Sequence, residues 1–301
     1  MSQHLPNFMI IGASKCGTTS LWTYLDRHPD VFLTRIKEPM FFNMDRYYER
    51  GVNWYQQLFA EAGDAKLRGE ATTSYTYAPH IPDVPKRIHD LVPDCKFIYM
   101  VRPPVARTYS HYVQELQVRV FAPEGDLGTF EEAIEKCPML VDAGMYIKQL
   151  ERFERYFSRD QIKVIFAKDL RQNPNAVLSD IQEFLGLSHA DLTVNSPVTA
   201  NTQGSHHARQ QLNEKLEKVK SIPGVHLLTR VIPKQTRANL YNRFVSSKRL
   251  RKIADLELDV KPALAQTNED LRALFKEANE MLGDYLGCDL SDWDRPRTKT
   301  A

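Results

Sequence analysis

The sequence predicts an α/β fold, a central parallel sheet flanked by helices, on three observations. Short apolar runs at Phe8–Ile11, Lys96–Val101 and Ile162–Phe166 read as buried strands. Amphipathic segments long enough for crossover helices lie between them. A loop bracketed by Gly12 and Gly17 joins the first run to a helix, a corner suited to anions because unpaired helix amides and the positive end of the dipole meet there.

Taken in order, Phe8–Ile11 is the first strand and Thr18–Arg27 the helix after it, with Leu21, Trp22 and Leu25 at helical spacing. Lys15 adds a mobile cation to the loop, and Thr18, Thr19 and Ser20 add hydroxyls. Cys16 is either a thiol activated by the anion loop or a small loop filler. His28-Pro29 stops the helix, and Val31-Phe32 is extended. Lys37-Glu38-Pro39-Met40-Phe41-Phe42 sets a carboxylate at the edge of an apolar cleft, where desolvation raises a carboxyl pKa.

Gly51–Phe59 reads as an aromatic-rich helix and Arg68–Thr73 as a strand, followed by tyrosines that line a cleft or fill the core. Lys86–Leu91 is helical. Arg102 ends the strand Lys96–Val101, and Pro103-Pro104 opens a helix with Arg107, Ser110 and His111 on one face. Arg102 with Ser110 forms a second anion site, since the guanidinium fork grips phosphate oxygens in pairs.

Thr129 and Glu132 form a capping box, Gly144–Phe157 is an amphipathic helix, and Asn173-Pro174 opens a helix that Gly186 ends. Residues 208–220 read as a basic amphipathic helix, and residues 221–260 are rich in Lys and Arg. Thr267–Gly287 is an amphipathic helix packed through Leu271, Leu274, Phe275, Leu282 and Leu286.

The chain has 301 residues and a net charge of +2, a balance that excludes a dedicated nucleic-acid binder. Its four cysteines are scattered without a C-x-x-C pair, which argues against a zinc site or a disulfide framework. We expect one domain over 1–301, with 195–260 as its acceptor or lid region.

The Gly12–Gly17 spacing matches a P-loop, but Thr18 stands where a P-loop has its Lys, and Lys15 precedes the second glycine. This displaced pattern, Ser14-Lys15-Cys16-Gly17-Thr18-Thr19-Ser20, resembles the 5′-phosphosulfate loop of sulfotransferases, which take a sulfuryl group from 3′-phosphoadenosine 5′-phosphosulfate (PAPS). Arg102 and Ser110 match the family's 3′-phosphate pair. His28-Pro29-Asp30-Val31, Lys37–Phe42 and Gly51–Tyr55 resemble the heparan-sulfate-type and bacterial carbohydrate-type branch, and Leu286–Trp293 resembles the closing segment of bacterial members. The likeness covers 6–166 and the final helix, and is poor over 195–260. Many heparan-type members carry a Lys after the Glu of the second strand; here Ala71 follows Glu70, which weakens the case for a polyanionic glycan.

The resemblance implies PAPS as donor and no metal, Ser14–Ser20 with Arg102 and Ser110 as its binding residues, Lys15 as the charge-neutralising cation and Glu38 as catalytic base. His111 is the rival base. The acceptor it implies is a carbohydrate hydroxyl or amine, with a lipid or natural product next. A phosphotransferase on a degenerate P-loop and a non-catalytic nucleotide- or polyanion-binding module stand as alternatives. Animal relatives sit behind a Golgi membrane anchor. Met1–Asn7 is too short and polar for a signal peptide, no run reaches the ~20 residues of a membrane span, and the thiols are unpaired. The expectation is therefore a cytoplasmic, bacterial protein with no transmembrane segment.

Overall fold

Central β1 (Phe8–Gly12) runs between β3 (Leu67–Ala71) and β4 (Lys96–Val101), and β2 (Val31–Leu33) and β5 (Ile162–Phe166) complete a five-stranded sheet in the order β2-β3-β1-β4-β5. Every pairing is parallel. The computed structural model describes residues 5–119, 127–190, 192 and 262–296. Helices fill the connections, as parallel strands require: α1 (Thr18–Leu25), α2 (Asp45–Tyr48), α3 (Gly51–Gln57), α4 (Val84–His89), α5 (Pro104–Arg119), α6 (Phe130–Lys136), α7 (Met139–Asp142), α8 (Tyr146–Glu154), α9 (Ala167–Gln172), α10 (Pro174–Leu185) and α11 (Ala265–Leu286).

β1 is apolar throughout because it is covered on both faces: Phe8, Met9, Ile10 and Ile11 are fully buried, each side chain contributing about 1.5–3 kcal/mol. Phe97 on β4 meets Phe153 and Phe157 edge-on at 5.2 and 4.6 Å, which docks α8 onto the sheet. Thr129 caps α6 by accepting from the Glu132 amide, and Gly186 ends α10 at φ +72°. α11 packs on α8 through Leu271, Phe275 and Leu282, but Leu274 is 53% exposed and does not belong to that face.

Some boundaries differ from the sequence reading. The helix expected over Gly144–Phe157 spans Tyr146–Glu154, and a separate turn, α7, precedes it. The strand expected at Arg68–Thr73 ends at Ala71, and Thr73–Thr76 coils into a 3₁₀ turn. The short helices α2 and α9 were not foreseen, because one turn of helix carries too little periodicity to read.

The chain divides into two compact units. The first, Met1–Tyr112, Leu127–Thr199 and Pro262–Ala301, contains the whole sheet. The second comprises Val113–Asp126 and Ala200–Lys261, of which 113–119 is described, as the end of α5. The basic helix at 208–220 and the Lys/Arg-rich stretch 221–260 lie outside the described residues. Among the described residues no helix is long and apolar enough to cross a membrane.

Candidate functional site

The segments after β1, β2, β3 and β4 carry the candidate residues, at the carboxyl edge of the parallel sheet where α/β folds bind ligands. The loop after β1 depends on its glycines. Gly12 has φ +146°, and a Cβ there would lie 2.4 Å from the Thr76 hydroxyl oxygen. Gly17 takes the left-handed conformation as the N-cap of α1. Between them the Ala13 amide donates to the Met100 carbonyl (2.8 Å) and the Cys16 amide to the Ala13 carbonyl (3.1 Å), so the loop folds back toward β4. Ser14 and Thr18 are buried, Thr19 and Ser20 half-buried. Cys16 turns inward, with Sγ 3.8 Å from both the Ser14 carbonyl and the Tyr146 hydroxyl. Burial pushes its thiol pKa up, so Cys16 is a core filler and not an activated thiol.

Lys15 occupies a left-handed conformation at φ +70°, a strain that a non-glycine residue keeps only when its surroundings enforce it. Its ammonium lies within electrostatic reach of Arg102, Glu38 and Lys37, and its pKa falls to about 7, chiefly through burial and then through Arg102. Cations held together in a partly buried place are disfavoured until an anion joins them.

Glu38 and Met40 are also left-handed, at φ +62° and +55°. The Glu38 amide donates to the Ala71 carbonyl at the end of β3 (2.9 Å). Its carboxylate accepts from Lys37 Nζ at 3.0 Å and from Thr73 Oγ1 at 3.3 and 3.4 Å. Lys37 is 9% exposed and Glu38 26%, so the acid stays open on one side while the lysine is sequestered.

Arg102 stands between β4 and α5, and its guanidinium donates to the Ala106 carbonyl (2.5 Å). Tyr146 donates to the Arg102 carbonyl (2.8 Å) and meets the Trp293 ring edge-on at 6.1 Å, so the closing segment braces the strand end. Ser110 is half-buried on α5. Arg107 and His111, expected on the same helix face as Ser110, are fully buried. Arg107 Nη1 lies 3.2 Å from His111 Nδ1, and Nη2 donates to Thr108 Oγ1 and the Leu140 carbonyl. A guanidinium only donates, so Nδ1 of His111 accepts. Nε2 then carries the proton, 3.1 Å from the Tyr77 hydroxyl. Burial, Arg107 and Lys15 hold the His111 pKa well below its ordinary value.

The structure thus brings Lys15, Glu38 and Arg102 together and sets His111 behind them. Lys37, Thr73 and Tyr146 join the site without having been singled out for it, and Tyr77 is one of the tyrosines expected either to line a cleft or to fill the core. The Lys37-Glu38 pair was visible as an unusual charged dipeptide, whereas Tyr146 read only as a core position of an amphipathic helix. Among the described residues no cluster of His, Cys, Asp or Glu could hold a metal ion.

The protein family described as Sulfotransferase domain matches residues 5–242. Human heparan sulfate glucosamine 3-O-sulfotransferase 3B1 is 35% identical over 190 residues, covering 62% of this chain and 47% of that protein. Mouse bifunctional heparan sulfate N-deacetylase/N-sulfotransferase 4 is 30% identical over 206 residues, covering 62% of this chain and 23% of that protein. The chain spans about half the length of the first curated relatives it matches. A sulfotransferase crystal structure from Alicyclobacillus acidocaldarius superposes with a TM-score of 0.62 at 24% identity, covering 97% of this chain and 99% of that one, a likeness of fold. These matches contradict the cytoplasmic expectation, because the curated relatives are heparan sulfate sulfotransferases. A short polar start and free thiols carry too little information to assign a compartment.

Proposed function

The chain belongs to the sulfotransferase family, and from that premise we propose that it moves a sulfuryl group from PAPS to a hydroxyl or amine of a carbohydrate acceptor. The observation that carries this reading is the meeting of Lys15, Arg102 and Glu38 at the carboxyl edge of the sheet. Two cations and a carboxylate stand within electrostatic reach of one another there, groups suited to hold an anionic donor and to take a proton.

In this reading the amides and hydroxyls of Ser14, Cys16, Gly17, Thr18, Thr19 and Ser20 hold the 5′-phosphosulfate, with Cys16 contributing only its backbone. Arg102 and Ser110 hold the 3′-phosphate and set the register of the donor. PAPS supplies an activated sulfur–oxygen bond. Lys15 neutralises the charge that grows on the 5′-phosphate as that bond breaks. Glu38 takes the proton from the acceptor oxygen or nitrogen as its new bond to sulfur forms. His111 is not the base: one ring nitrogen faces Arg107 and the other holds a proton, so it aligns the helix face behind Arg102.

We extend the reading to the organisation of the chain, as one sulfotransferase domain over 1–301 in which 195–260 selects the acceptor. A lipid or natural-product acceptor is the second choice; the Ala71 that replaces the family's Lys favours it over a highly charged glycan.

Calorimetry with 3′,5′-bisphosphoadenosine (PAP) tests the donor. Wild type binds PAP without metal, and Arg102→Ala weakens binding at least tenfold. A preference for ATP with Mg²⁺ over PAP would overturn the reading in favour of a phosphotransferase.

A further inference from the structure

Beneath the Glu38 turn lies a second carboxylate, Glu70 on β3, with no exposed surface. It accepts from three hydroxyls: Tyr55 at 2.6 Å and Tyr75 at 2.7 Å on Oε1, and Thr72 at 2.5 Å on Oε2. A buried carboxylate is expensive unless donors surround it, and here each donor is shared with the turn that carries Glu38. The Tyr55 ring stacks on Phe41 at 4.3 Å and meets Phe42 edge-on at 5.2 Å. The Tyr75 ring meets Phe42 at 5.8 Å, and its hydroxyl lies 3.5 Å from the Phe42 amide. Thr72 Oγ1 lies 3.5 Å from the Met40 amide. These are single weak contacts, and they converge on a segment whose Glu38 and Met40 are both strained.

We infer that Glu70 is a positioning residue: a buried anion that gathers Tyr55, Tyr75 and Thr72 into one rigid cradle and thereby holds the left-handed Glu38–Met40 turn where Glu38 can reach the acceptor. The strain needs such a cradle, because a left-handed residue relaxes unless its surroundings over-determine it. The inference rests on the reading of Glu38 as base.

The test uses Glu70→Gln, which keeps the shape and removes the charge, and Thr72→Val with Thr72→Ser as its conservative partner. Two readouts are taken: hydrogen exchange of the peptide spanning 36–44, and turnover of labelled PAPS with de-O-sulfated heparan sulfate. Exchange of 36–44 should rise at least tenfold in Glu70→Gln and Thr72→Val, with a β4 peptide unchanged. PAP affinity and KM for PAPS should stay within twofold while kcat falls about tenfold or more, and Thr72→Ser should keep at least half of kcat. Glu70→Gln should add no further loss in a Glu38→Gln background, because both changes act through one group. Unchanged exchange over 36–44 in both variants overturns the inference, and Thr72→Val alone decides if Glu70→Gln does not fold. An inactive Glu38→Gln beside a fully active Glu70→Gln removes Glu70 and leaves the base reading intact; an active Glu38→Gln sinks the base reading itself.

Discussion

Glu70 and Arg107 are two buried charges of opposite sign, one behind the Glu38 turn and one behind the Arg102 strand end, and they organise their surroundings differently. The carboxylate only accepts, so it draws in hydroxyls from α3, the 3₁₀ turn and the residue that joins β3 to that turn. The guanidinium only donates, so it dictates the state of what it touches, including the tautomer of His111. Neither charge is paired with an opposite one in those bonds. The comparison teaches that behind the site each buried charge braces its surroundings through hydrogen bonds fanning out from it, which specify direction, whereas the Lys37–Glu38 ion pair lies in the site itself.

The sharpest way to separate the two sides is Glu38→Gln, which tests what the anionic side serves. We expect kcat to fall about a thousandfold, within the range for loss of a general base, with PAP affinity by calorimetry within twofold of wild type. On the cationic side, Arg107→Met removes the donor at similar length and strands the His111 Nδ1 and Leu140 carbonyl acceptors. A loss of about 3 kcal/mol in urea unfolding is expected. A variant as stable as wild type would break the comparison, because the guanidinium would then organise nothing.

Lys15 should report the arrival of an anionic ligand through pH. Its pKa of about 7 lies below the unfolded value, so between pH 7 and the unfolded pKa the unfolded chain binds more protons and stability rises with pH. Ligand binding has the opposite sign. PAP raises the Lys15 pKa again, so binding above pH 7 takes up a proton, and affinity should fall up to about tenfold per pH unit there while staying flat below pH 7. Calorimetry in buffers of different ionisation enthalpy measures that uptake, and Lys15→Met should abolish it.

The smallest effect expected is that of His111→Gln. A side-chain amide can still accept from Arg107 and donate toward Tyr77, so kcat should drop less than tenfold. A loss as large as that of Glu38→Gln would restore His111 as base.

Much of this molecule was legible before any coordinates. The apolar runs at Phe8–Ile11 and Lys96–Val101 are strands because covered parallel strands have little polar face to show, and Ile162–Phe166 keeps the apolar pattern at the sheet edge, where Lys163 is half-buried. The glycine-bracketed loop and the strand-end Arg102 are local signals, written in residues that are themselves adjacent. Glu38 was readable as an acid in an apolar setting, but its left-handed backbone and its bond to Ala71 were not, since they depend on a strand that lies thirty residues on. The face of α5 was readable too, yet its meaning changed: Arg107 and His111 turn into the core and leave Ser110 nearer the surface.

By itself the sequence determined the sheet, the anion loop and the chemical types at its edge, because periodicity, glycine placement and strand composition act over a few residues. Tertiary structure alone decided which side chains share a proton or a charge. Tyr55, Tyr75 and Thr72 meet at Glu70, and Tyr77 meets His111 across 34 residues. Hydrogen bonds fall away within an ångström or so of their optimum, and only the folded chain sets distances that closely.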